Sequence, residues 1–292
     1  MIPSIYQRTD LALEDLNLEK SLSGVSIHKK THDSIHITTV EIHSPDAANE
    51  LKRPIGNYIT LEFSPFWMDN DQETRLSLIQ SLTKLLTSLL TKEKKPHRIL
   101  VAGLGNRAIT ADAIGPLCAD RIEVTGHYHT EEALRPYLPP CPAYAISPGV
   151  VGNTGIETQK LIQAALSASN TSHVIVIDSL AARSTSRLGN CIQLTDSGIT
   201  PGSGIGNCRA ALNKQTLGVP TIAIGVPLVV SSSTLVYDAL EKAGIKTIDP
   251  DLQKVLENGK DFFVTLNESD LATLRLAELI AEAINTCISQ IT

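Results

Sequence analysis

Two aspartates, Asp112 and Asp178, stand just past strand-like apolar runs, and carboxyl groups that share a proton are the machinery of acid–base hydrolysis. The run Arg98-Ile99-Leu100-Val101-Ala102 ends in Gly103-Leu104-Gly105-Asn106, with Thr110-Ala111-Asp112 following. The run Val174-Ile175-Val176-Ile177 leads straight into Asp178-Ser179. In an open α/β sheet, chemistry collects just outside the carboxyl ends of parallel strands, so neighbouring strands would bring both acids to one crevice. Each acid also has a plain structural reading. Asp112 fits the first turn of a helix capped by Thr110, where the dipole favours a carboxylate, and Asp178 fits an N-cap. Spacing alone leaves both readings open.

Other chemistries find less support. After Gly103 and Gly105 the next glycine is Gly115, so the dinucleotide fingerprint fails. The glycines around Asn106 instead permit a tight turn whose N–H groups approach a ligand. Pro201-Gly202-Ser203-Gly204-Ile205-Gly206-Asn207 is a second such loop, read equally as an anion nest, a peptide-binding lip or a bend. His28, His32 and His36 recur every four residues, but on a segment read as loop running into strand, and no His-Glu-x-x-His element occurs. The five cysteines form no Cys-x-x-Cys pair, and no Gly-x-Ser-x-Gly elbow is present. No metal and no cofactor are expected.

The positioning elements follow from periodicity. Strands are expected at 35–42, 56–62, 98–102, 143–146, 174–177, 191–194 and 221–224. Helices are expected from Asn70 to about Lys92, over 234–243, from Leu271 to Ile288, and after the capping-box spacing Thr154-Gly155-Ile156-Glu157. Residues 1–24 read as an arm, and 261–265 as a short strand. Short Val- and Ile-rich runs alternating with helices indicate an α/β fold with a mostly parallel central sheet flanked by helices. With 42% apolar and 19% charged residues the chain can bury a core as one domain. A net charge of −6 and 4% aromatics argue against nucleic acid as a partner. The polar N-terminus and the lack of a long apolar segment lead to the expectation of a soluble, cytoplasmic protein with no membrane contact.

Several ordered blocks resemble the germination protease family of endospore-forming bacteria. They are Arg8-Thr9-Asp10-Leu11-Ala12-Leu13-Glu14, Arg53-Pro54-Ile55-Gly56-Asn57-Tyr58-Ile59-Thr60-Leu61-Glu62, Gly103–Asn106, Pro148–Thr158, Ile177–Ser184 and Gln193–Asn207. The resemblance implies a fold like the hydrogenase-maturation endopeptidases (a phosphorylase/hydrolase-like α/β architecture). It implies an endopeptidase of the spore core that degrades small acid-soluble spore proteins at germination, with Asp112 and Asp178 as the acting pair. It further implies a homotetrameric precursor that cuts itself, here between Asp10 and Leu11, so that residues 1–10 form a propeptide and 11–292 the peptidase domain. Since the family cuts after acidic residues, Arg183 or Arg209 is expected to read that carboxylate, or else to serve an ion pair or the surface. The N–H groups of Gly103, Gly105 and Asn106, or of Gly202 and Gly204, are the expected oxyanion donors. Ala111 and Ser179 replace the family's proline and alanine, and the stretch from Ser231 to Lys260 is shorter than in longer relatives. A metal-dependent peptidase of the same fold, or a peptide-binding relative without activity, are the alternatives.

Overall fold

A computed structural model describes residues 9–15, 22–69, 71–92, 97–203, 209–245, 247–258 and 262–291. Among them, one sheet organises the fold. Its strands are β1 (Val25–His32), β2 (Ile35–Ile42), β3 (Gly56–Glu62), β4 (Ile99–Gly103), β5 (Ala143–Ile146), β6 (His173–Ala181), β7 (Cys191–Thr195), β8 (Thr221–Ser231) and β9 (Phe263–Val264). The order across the sheet is β1-β2-β3-β7-β8-β6-β4-β5, with β9 paired to the far end of β8.

The sheet is mixed and has two halves. β5, β4, β6 and β8 run parallel, while β1, β2, β3 and β7 form an antiparallel wing that joins the parallel half where β7 pairs with β8. In the parallel half, side chains alternate between two cores, which is why these strands are apolar throughout. Ile99, Val101, Ile175 and Ile177 face the larger core, beneath helices Gln72–Leu90, Ile114–Ala119 and Ser269–Gln290. Leu100, Ala102, Val174 and Val176 face the other, against Ile162 and Leu166 of helix Thr158–Ser169. Among the described residues, no helix is long and apolar enough to cross a membrane.

Several local expectations change. His28 and His32 lie within β1, which forms a hairpin with β2, rather than on a loop. Thr154 does not cap the helix that follows. It closes a short turn, Val151–Thr154, that Gly155 ends at φ 68°, and the helix starts only at Thr158. The segment 9–15 is no loose arm, because Leu11, Ala12 and Leu13 are buried. Within the stretch from Ser231 to Lys260, Pro250–Asn258 forms a further helix beyond the one expected over 234–243.

Candidate active site

Asp178 is not the last residue of its strand. β6 continues to Ala181, and Asp178 pairs in register with Gly225 of β8. It follows the same alternation as Val174 and Val176, so a carboxyl group replaces the next apolar side chain on that face. No helix begins there, and only a short turn at Thr185–Arg187 follows the strand. Asp112 likewise sits outside the helix expected to start at Thr110. It ends a single turn, Thr110–Asp112, and the helix begins at Ile114.

Close backbone approach brings the two acids together. A Cβ on Gly103 would stand 2.0 Å from the carbonyl oxygen of Gly115, so only glycine lets the helix meet the strand end this closely. Gly105 adopts φ 109°, and a Cβ there would stand 2.0 Å from the carbonyl oxygen of Asp112. The N–H of Asn106 donates to Asp112 Oδ2 at 2.7 Å, while the N–H of Leu104 continues the β4–β6 ladder to Ile177 O at 2.8 Å. Those two N–H groups of the 103–106 turn are thus engaged in holding Asp112 and the sheet, not aimed at a ligand.

Both carboxyl groups hold their protons more strongly than free aspartate. Burial raises Asp112, and its bond from Asn106 offsets part of that. Asp178, 6% exposed, is raised well above the ordinary range, first by burial and then by the charges of Asp112 and Asp10, with the Ser179 N–H opposing. Asp112 therefore ionises first, and its charge helps keep the proton on Asp178. Asp112 lies on a separate turn and not at the helix start where a dipole would favour its charge, and burial raises it.

Both acids line one cavity of about 590 Å³. Gly105, Gly149–Gly152, Pro201, Gly202, Arg209 and Asp10 also contribute to its wall. Gly103 does not line it, being packed against Gly115, and Asn106 faces a shallower pocket beside it. Arg183 is turned away, its guanidinium paired with Glu241 at 2.6 Å. Gly204 lies outside the described residues.

The N-terminal segment Thr9–Glu14 reaches this cavity through Asp10 and is pinned at several points. Asp10 N–H donates to Ala181 O at 2.9 Å, and Ala181 N–H donates to Asp10 Oδ2 at 2.9 Å. Ser203 Oγ–H donates to Asp10 Oδ1 at 2.6 Å. Leu11 is fully buried against Leu180, Ala182, Leu188, Cys191 and Val230. The Glu14 side chain, 2% exposed, accepts from the N–H groups of Arg183 (2.7 Å) and Ser184 (3.0 Å) and from Arg187 Nη1 (3.0 Å). The carboxylate of Asp10 is thus met by a hydroxyl and a backbone amide, neither from the two arginines singled out by sequence. Sequence reasoning missed Glu14, Ser203 and Arg187 as contacts; the buried acid at position 14 gives no spacing signal on its own.

A model of the germination protease family matches residues 6–246. The chain belongs to that family. The germination protease of Caldanaerobacter subterraneus subsp. tengcongensis is 35% identical, over 99% of this chain and 96% of its own length. Those of a Geobacillus species (38% identical; 82% of this chain, 68% of the relative) and of Clostridium tetani (36%; 90% and 81%) are similar to it. Among solved structures, a NiFe hydrogenase maturation protease, HycI from Thermococcus kodakarensis KOD1, aligns with a TM-score of 0.38 at 18% identity, over 68% of this chain and 98% of that one. Membership makes the chain a peptidase associated with spore germination. Among the described residues, no group of three or more His, Cys, Asp or Glu side chains is placed to hold a metal ion.

Proposed function

We propose that this chain is an endopeptidase that begins the degradation of small acid-soluble spore proteins in the germinating spore. On this reading it is made as a precursor that cuts itself between Asp10 and Leu11. Residues 1–10 then form a propeptide, and residues 11–292 a single peptidase domain in the spore core. The observation that carries the proposal is the shared cavity: Asp112, Asp178 and Asp10 line the same space, with the peptide after Asp10 pinned on both sides.

The order of ionisation supports a division of roles. Ionised Asp112 takes a proton from water, whose oxygen bonds to the carbonyl carbon of Asp10. The π pair moves onto the carbonyl oxygen. Protonated Asp178 then gives its proton to the nitrogen of Leu11 as the C–N bond breaks. The products are a new carboxyl group on Asp10 and a free amine on Leu11. One proton passing from Asp112 to Asp178 restores the pair, which titrates as a unit. Spore protein would follow the same path once residues 9–14 leave the cleft.

Intact-mass measurement and N-terminal sequencing of the purified full chain, followed over time, test this directly. A product beginning at Leu11 is expected, along with fragments of added spore protein cut after acidic residues. An uncut Met1 end in a preparation that digests spore protein would reject self-cleavage at this bond. The homotetramer that the family resemblance implies is checked by light scattering, with a mass near four chains expected.

A further inference from the structure

The carbonyl oxygen of Asp10 is the one that gains negative charge if the Asp10–Leu11 bond is cut, and two side chains already grip it. Arg53 Nη1 donates to it at 3.0 Å and Gln193 Nε2 at 3.1 Å. Arg53 Nη2 also donates to the preceding carbonyl, of Thr9, at 3.2 Å. On the other side of the bond, Gln193 Oε1 accepts from the N–H of Ala12 at 2.8 Å. One amide therefore spans the bond, holding the carbonyl before it and an N–H just beyond it.

The sheet explains why these groups face the acids. Gly225 of β8 pairs with Asp178 of β6 on one side and with Gln193 of β7 on the other. Asp178, Gly225 and Gln193 thus form one row across three adjacent strands, with the acid and the amide about 10 Å apart at the backbone. The row lacks a side chain at its centre. A Cβ on Gly225 would stand 2.4 Å from Leu180 Cδ1, and Leu180 in turn supports Leu11. Asp10 lines both the aspartate cavity and a second cavity, of about 330 Å³, on the side of Gln193. The charged residues lining that second cavity are Asp10, Lys52 and Arg53, so its own charge is positive.

We infer that Arg53 and Gln193 form the oxyanion-stabilising site of this peptidase, opposite the two aspartates across the substrate backbone. The inference rests on the cut between Asp10 and Leu11 proposed above. When water adds to the Asp10 carbonyl carbon, the displaced electron pair settles on an oxygen that a guanidinium and a buried amide already hold. Preorganised donors of this kind need no rearrangement during reaction. Gln193 also fixes the peptide's register, because its oxygen accepts from Ala12 while its nitrogen donates to Asp10.

The test follows both self-cleavage and cutting in trans. The full chain carrying Arg53→Ala, Arg53→Lys, Gln193→Leu, Asp112→Asn or Asp178→Asn is incubated and the product beginning at Leu11 is quantified. Chains made to begin at Leu11 and carrying the same changes are assayed on a peptide with the Thr9–Glu14 sequence. Arg53→Ala and Gln193→Leu are expected to lower kcat about 100-fold or more, the usual effect of removing one such donor, with KM moving much less. Arg53→Lys, which keeps the charge but not the fork, should fall between Arg53→Ala and the parent. Added guanidinium should partly restore Arg53→Ala and do nothing for Gln193→Leu, a response that lost packing would not give. If Arg53→Ala and Gln193→Leu keep kcat within about threefold while both aspartate variants are silent, the oxyanion assignment falls and the paired-acid reading stands. The assignment also falls if the loss lies in KM alone. A parent chain never cut at Asp10 overturns the self-cleavage reading, and the kcat values in trans then decide the assignment separately.

Discussion

The parallel half and the antiparallel wing of the sheet carry opposite halves of the site. β4 is apolar throughout and β6 is apolar from Val174 to Ile177, and the acids stand beyond these runs, Asp112 on the turn past β4 and Asp178 just past the middle of β6. Burial there acts on the acids by holding protons on them. The wing contributes neutral and cationic donors. Gln193 sits between buried Ile192 and Leu194 in β7, and Arg53 lies just before β3. One side of the N-terminal segment thus meets buried carboxyl groups, and the other meets groups that hold a carbonyl. The difference teaches that a mixed sheet can separate buried acids from hydrogen-bond donors at the line where its strand direction reverses.

Exchanging the acids should break this division most severely. Asp112→Asn or Asp178→Asn is expected to lower cleavage by about 100- to 10,000-fold, measured as appearance of the Leu11 terminus and loss of spore-protein substrate. Near-parent activity in both variants would mean that the parallel half supplies no acid–base pair.

A smaller effect is expected where the wing and the parallel half meet around Glu14. Glu14→Gln removes the charge that Arg187 and two backbone N–H groups hold in a nearly closed site. Self-cleavage should slow about tenfold or more, equivalent to about 1.4 kcal/mol of lost docking. Cutting of spore protein in trans by the mature form should not fall with it. Equal losses in both assays would show that Glu14 supports the fold rather than the docking of its own segment.

Stability should distinguish the halves as well. Gly103→Ala forces a methyl group onto the Gly115 carbonyl and is expected to cost about 1–3 kcal/mol in denaturant unfolding. His28→Ala, on the exposed face of edge strand β1, should stay within about 0.5 kcal/mol. Similar midpoints for the two variants would remove the tight strand–helix approach from the account of how Asp112 is placed.

The subtlest contrast is in pH. Because the fold raises Asp178 above its ordinary value of 3.8, the folded chain binds more protons than the unfolded one between that value and the raised one. In that window, stability contributed by neutral Asp178 is lost as pH rises. Asp178→Asn stays neutral, so it should melt on the order of a few degrees above the parent at pH 7, with the gap closing towards pH 4. A gap independent of pH would mean that ionisation of Asp178 is not what strains the folded chain.

Much of the parallel half was legible in the chain itself. The Ile and Val runs at 98–102 and 174–177 could be satisfied only by burial on both faces, and the acids following them marked the crevice. The long helices at 72–90 and 269–290 were equally visible, since a wide apolar stripe at helical spacing survives any tertiary context. Local boundaries were less readable. Thr154 has the spacing of a cap, yet Gly155 turns the chain at φ 68° and moves the helix start to Thr158. Thr110 and Asp112 likewise look like a helix start but form a separate turn, because Gly103 and Gly115 fix where the helix must meet the strand.

By itself, the sequence determined the α/β class and singled out two acids that follow buried apolar runs, because hydrophobic period and local chemistry are properties of neighbouring residues. Only the tertiary structure decided what faces them. Ala12 and Gln193 stand 181 positions apart, and Asp10 and Ser203 stand 193 apart. Their meeting depends on β7 lying beside β8 instead of at an edge, a choice made by the packing of the whole sheet. The arginine that grips the carbonyl before the bond was therefore Arg53, whereas Arg183 turned outward to Glu241. Strand order, unlike strand identity, leaves no periodic mark along the chain.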